Sequence, residues 1–104
     1  MNDDARDDIT EEDFLKAVSA LSSEEPALSP LAAAILAALH FGLAKDSRTF
    51  SRKFDIAHAL VLREVSALAD ELELLVVTAR NQKNQRTEFA PAEKASQLFA
   101  RALK

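Results

Sequence analysis

FSRKFDIAHALVLREVSALADELELLVVTARNQKNQRTEFAPAEKA, residues 50–95, decides how this chain is read. Phe50 and Phe54 stand one helical turn apart, which leaves Arg52 and Lys53 on the wet side of a short helix. Asp55-Ile56 follows as a turn, with Ile56 plugging the space between two helices. Val61, Val65, Leu68 and Leu72 then recur at steps of four, three and four, the buried seam of a second helix. Periodicity changes at Leu74–Thr78, which is rich in branched residues and too short for a further helix, so it reads as a strand. RNQKNQR at 80–86 supplies three cations and no apolar side chain, and Phe89 anchors a return strand.

Helix, tight turn, helix, strand, basic loop, strand: this order predicts a winged helix–turn–helix, whose second helix enters the major groove of DNA. Upstream, residues 1–9 read as an acidic, frayed tail. Thr10 with Asp13 resembles a helix cap, and Phe14, Leu15, Val18 and Leu21 form the apolar stripe that follows. SSEEPALSP is a linker, ended by Ser29 as a cap and Pro30 at the first helical position. Leu31, Ile35, Leu39 and Leu43 then share a face in an Ala-rich helix that should be buried on more than one side. The expected fold is mainly α with a small β-hairpin (α+β), a single domain over 10–104. Its helices fall at about 10–22, 30–44, 48–54, 58–72 and 91–103, its strands at about 74–79 and 87–90.

A chain of 104 residues holds one modest core. The absence of cysteine excludes a disulfide framework and a thiolate metal site, and fits a reducing cytoplasm. The acidic start predicts no secretory or transit peptide, and the longest apolar run, Leu31–Leu39, is about half a membrane span. The net charge of −4 divides unevenly: residues 1–39 carry nine acids and two bases, residues 40–104 eight acids and eleven bases. The second part is therefore net +3, a weak field compatible with nucleic acid.

Candidate DNA contacts follow from placement. His58, Ala59, Leu62, Arg63 and Ser66 lie opposite the seam of the second helix, near the N-terminus where base contacts are made. Arg52, Lys53, Arg80, Lys83 and Arg86 are candidates for the phosphate backbone. Each has a plainer reading: Arg63 as a solvated partner of Glu64, His58 as a helix-start residue, the others as solvating charge. The Phe50, Phe54, Phe89 and Phe99 set reads as core, and His40 as packing rather than a ligand. Phe14, Val18 and Leu21, with Leu98, Phe99 and Leu103, form stripes that a three-helix core would leave poorly covered, which predicts a homodimer built from the terminal helices.

Here the chain resembles the winged-helix transcriptional regulators of the MarR type. FSRKFDI matches that family's leucine-alanine-two-variable-leucine-glycine-isoleucine pattern; VLREVSAL matches its valine-serine-arginine and later leucine. FAPAEKA stands where the family has leucine-threonine-two-variable-glycine, and the resemblance covers about 31–103. It departs at Asp55, which replaces the turn glycine, at Glu73 and Ala95, where glycines normally stand, and at Leu62, where the family has serine. Asp is among the residues that tolerate the left-handed region. The shortness of the chain implies reduced flanking dimerisation helices.

Two histidines without cysteine give no usual zinc spacing, and there is no Gly-rich phosphate loop or glycine-flanked serine. No enzyme activity and no cofactor are expected. Two functions compete: a dimeric regulator of double-stranded DNA, or a winged-helix module that binds protein. The acidic net charge, Leu62 on the reading face and Glu64 beside Arg63 favour the second; the placement of the cations favours the first. A small-molecule effector is compatible with either, though no polar cluster marks its site.

Overall fold

The computed structural model describes residues 9–103, so most of the expected tail at 1–9 lies outside the described residues. The order is α1 (Glu11–Glu24), α2 (Pro30–His40), α3 (Ser47–Phe54), α4 (His58–Asp70), β1 (Leu75–Arg80), β2 (Thr87–Pro91) and α5 (Glu93–Ala102). This is a mainly helical α+β chain with one antiparallel hairpin. No helix among the described residues is long and apolar enough to cross a membrane.

Local chemistry sets most boundaries. The Thr10 hydroxyl accepts from the Asp13 amide at 3.0 Å and starts α1. Ser29 does the same for Ala32, ahead of Pro30, and starts α2. α2 stops at His40, four residues short of its expected end, because Gly42 turns left-handed at φ 75°. The amides of Gly42 and Leu43 then fold back onto Leu39 and Ala38. Leu43 therefore lies beyond the helix whose face it was expected to share.

α2 is the central element. Ile35, Leu36, Ala37 and Ala38 are fully buried, with α1 packed on one side and α4 on another. Alanine permits this close approach from two directions. Val61, Val65 and Leu68 form the buried seam of α4 with no exposure, as their spacing predicts. Phe50 and Phe54 stack at 4.4 Å, and Phe54 meets Phe14 of α1 at 5.2 Å.

The α1 stripe packs on the core at Phe14, Val18 and Leu21, as expected, but not at Leu15. Ala17 and Leu21 point inward, whereas Leu15 is 54% exposed. Three of the six residues expected at a dimer interface are also reassigned. Leu21, Leu98 and Phe99 are buried within the chain itself, where α1 and α5 pack together beside α2. The extra helices cover their own stripes against each other, leaving Phe14, Val18 and Leu103 only partly exposed.

Two turn positions hold, without glycine, the left-handed backbone that glycine most easily supplies. Asp55 ends α3 at φ 56°, and Glu73, before β1, sits at φ 58°. Ala95 is different. It lies inside α5, fully buried, where a small side chain rather than a positive φ is required.

Candidate nucleic-acid interface

α3, α4 and the hairpin meet at a polar seam centred on Asp46 and Ser47. Asp46 caps α3: its Oδ1 accepts from the Thr49 amide and its Oδ2 from the Thr49 hydroxyl, both at 2.8 Å. The same Oδ2 takes Arg86 Nη2 at 3.3 Å. Asp46 also bridges Glu88 of β2, and the Phe89 amide donates to the Lys45 carbonyl at 3.0 Å. The segment before α3 thus lies alongside β2 as a single-residue third strand.

Ser47 is fully buried and accepts from the Thr87 amide at 3.0 Å. Its hydroxyl also shares a 2.7 Å hydrogen bond with His58 Nε2 at the start of α4. Two adjacent residues therefore tie α3 to β2 and to α4. Burial lowers the His58 pKa and the Arg48 charge adds to that, against an opposing pull from Asp46. For Asp46, burial alone would raise the pKa; the Thr49 hydrogen bonds and the Arg86 charge outweigh it and hold the carboxyl below its ordinary range.

This seam corrects two assignments. His58 is engaged by Ser47, so it is a joint between helices rather than a free base reader. Arg86 is paired with Asp46 through one N–H and is about half exposed, so it is a tethered cation rather than a free one, with its other N–H groups left open. Asp46, Ser47, Thr87, Arg48 and Asn84 are the residues missed by sequence reasoning. Only Asp46 carried a signal, since an acid three residues before Thr49 is a helix-start pattern. Ser47 and Thr87 are 40 residues apart, and no local pattern joins them.

The other candidates lie as expected on the surface. Ala59, Arg63 and Ser66 are exposed on the outer face of α4, with Leu62 half-buried beside them. Glu64 does not pair with Arg63: it accepts the Ser29 hydroxyl at 2.9 Å. Arg52 and Lys53 are exposed at the end of α3, and Arg80 and Lys83 at the hairpin tip. Among the described residues none of Arg52, Lys53, Arg63, Arg80 and Lys83 forms an ion pair. The hairpin loop is ordered by its own bonds: the Asn81 amide donates to the Arg86 carbonyl, and Asn81 Oδ1 accepts from the amides of Lys83 and Asn84. Arg48 reaches across from α3 to the Asn84 carbonyl at 2.9 Å.

Charge follows the same division. Segments 45–55 and 80–88 together hold seven bases and three acids, a net of +4. α4 holds Arg63 against Glu64 and Asp70, a net of −1 with histidine neutral. The positive field therefore comes from α3 and the hairpin, not from α4. Comparison with family models, with curated proteins and with solved structures finds no match for this chain.

Proposed function

We propose that this chain is a winged helix–turn–helix regulator of double-stranded DNA. In this reading α3 and α4 are the helix–turn–helix, β1 and β2 the wing, and the Asp46 bridge the reduced third strand. α4 enters the major groove with Ala59, Leu62, Arg63 and Ser66 toward the bases. Arg52, Lys53, Arg80 and Lys83 lie along the backbone on either side. The observation that supports it most is the distribution of unpaired cations. Ion pairs absorb Lys16, Lys94 and Arg101 elsewhere and Arg86 in the seam, while Arg52, Lys53, Arg80 and Lys83 are left open among the described residues.

Anisotropy of a labelled random duplex, titrated at rising salt, tests the reading. One phosphate neutralised by each of those four cations corresponds to a log–log slope of about −3.6 per bound chain, and about twice that for a dimer. Binding that does not weaken with salt, or no binding at low salt, would defeat it. A symmetric dimer, with two copies of α4 in successive grooves, belongs to the same proposal. Light scattering should then give twice the chain's 11.4 kDa.

One observation favours the competing reading, a protein-binding module. Leu60, on the flank of α4, is 44% exposed beside a helix of net negative charge. A surface of that kind would show little affinity for heparin or duplex.

A further inference from the structure

We propose that the cleft between the start of α3 and the hairpin loop is a phosphate-binding site, formed by Arg48, Arg52 and Arg86. The concavity holds about 410 Å³ and is lined by these three with Asp46, Thr49 and Asn84. Arg48 and Arg52 are one turn apart on the exposed face of α3, so their side chains lie side by side. Arg86 enters from the hairpin side. Guanidinium groups present several donors in a fixed plane and match the oxygens of a phosphate.

Asp46 is the one carboxylate in the lining, and both its oxygens are already used by Thr49 and Arg86. It positions Arg86 and cancels one charge. Three guanidinium groups against one carboxylate leave a net of +2, suited to a phosphate group. Two of the arginines are also held in place: Arg86 by Asp46, and Arg48 by the Asn84 carbonyl at 2.9 Å. Each spends one N–H there and keeps others for a ligand. Arg52 has no hydrogen-bond or ion-pair partner among the described residues. A merely solvated face would interleave its cations with open carboxylates; here the cations converge on one hollow whose carboxylate already accepts three hydrogen bonds.

The phosphate has two possible sources, a phosphodiester of the duplex backbone or a free phosphate group, and the first rests on the DNA reading above. Inorganic phosphate is the probe, titrated against chloride at constant ionic strength and read on the amide resonances of Thr49 and Asn84. Saturable shifts are expected in the wild type. They should weaken at least tenfold in the Arg48→Gln/Arg52→Gln double variant, whose melting should stay close to wild type because both side chains are exposed. On duplex DNA the double variant should show a salt slope shallower by about one.

Saturation by phosphate with no duplex binding, or with an unchanged slope, keeps the site and makes the free anion its source. Duplex binding with an unchanged slope, and no saturation by phosphate, overturns the site while the DNA reading stands. Shifts that drift alike in phosphate and chloride overturn the site as well.

Discussion

The seam between α3 and β2 and the outer face of α4 treat polar side chains in opposite ways. In the seam the buried polar side chains are engaged: Asp46 with Thr49 and Arg86, Ser47 with the Thr87 amide and His58, and the Thr87 hydroxyl with the Gln85 carbonyl. On the outer face Arg63 and Ser66 make no side-chain hydrogen bond among the described residues. The difference separates positioning from contact. Bonds in the seam set how α4 and the hairpin stand relative to each other before any partner arrives. Groups on the face are left uncommitted, as contact groups must be.

The sharpest way to break that contrast uses neighbouring positions on α4. Val65 is fully buried and Ser66 exposed, one residue apart. Val65→Asp puts an unpartnered carboxylate into the apolar core, at a cost of several kcal/mol. A domain of this size has about 5–15 kcal/mol in total. The variant should be largely unfolded by circular dichroism. Ser66→Asp should melt like wild type yet weaken duplex binding, by setting a negative charge against phosphate. The opposite pattern would invert the two faces of α4.

That α4 has these faces was legible in the sequence, because its apolar steps repeat with the helical period and nothing interrupts them. Asp55 was legible for a different reason: it stands at the turn and is a residue type that tolerates positive φ, which it adopts; Glu73 adopts it too, without its residue type having pointed there. Other features depended on tertiary packing. An apolar stripe such as Leu21, or Leu98 with Phe99, signals burial but not whether the covering surface is the same chain or a second copy. Here α1 and α5 cover one another. On α1 the stripe differs at one position, because Ala17, with its small side chain, faces inward where Leu15 does not. The Arg86–Asp46 pair joins residues 40 apart, beyond any local pattern. A basic loop looked uniformly free, although its last arginine was tethered.

Removing one bond of the seam should cost less than burying a charge. Ser47→Ala deletes the acceptor of the Thr87 amide in a site without solvent, and an orphaned buried donor costs about 1–3 kcal/mol. Chemical denaturation should show that loss. Amide exchange at Thr87 should rise along with it. Stability equal to wild type would mean that the seam does not hold the hairpin.

On the outer face the expected changes are in binding, with stability held. Arg63→Ala should cost about 1–3 kcal/mol of duplex affinity and relax sequence preference, through loss of a base-edge contact. Arg80→Ala and Lys83→Ala should weaken all sequences alike, each making the salt slope shallower by about one. Library selection with the three variants separates these outcomes. Equal loss of specificity from all three would show that helix and hairpin do not divide the work as proposed.

The smallest effect should come from protons, and it again distinguishes seam from face. His58 has a folded pKa below the ordinary 6.5, so the unfolded chain takes up its proton first as pH falls. Its contribution to stability is therefore complete above about 6.5 and declines as pH drops from there toward the folded value. Asp46 is also depressed, from 3.8, but as an acid: its contribution is complete above that value and is lost as pH falls through the folded pKa. Two windows result, one beginning near neutrality and one confined to strong acid. Burial lowers the His40 pKa as well, so melting curves across this range should show a shallow step in the upper window shared by the two histidines. His58→Gln should reduce that step, since glutamine does not titrate and keeps a hydrogen-bonding group toward Ser47. Asp46→Asn should lower stability at neutral pH, where the Arg86 pair is lost, and flatten the acid window. Arg63→Ala and Ser66→Ala, on the face, should leave both windows unchanged. A His58→Gln variant whose upper step is undiminished would assign the whole step to His40 and leave the His58–Ser47 joint without a proton-linked role.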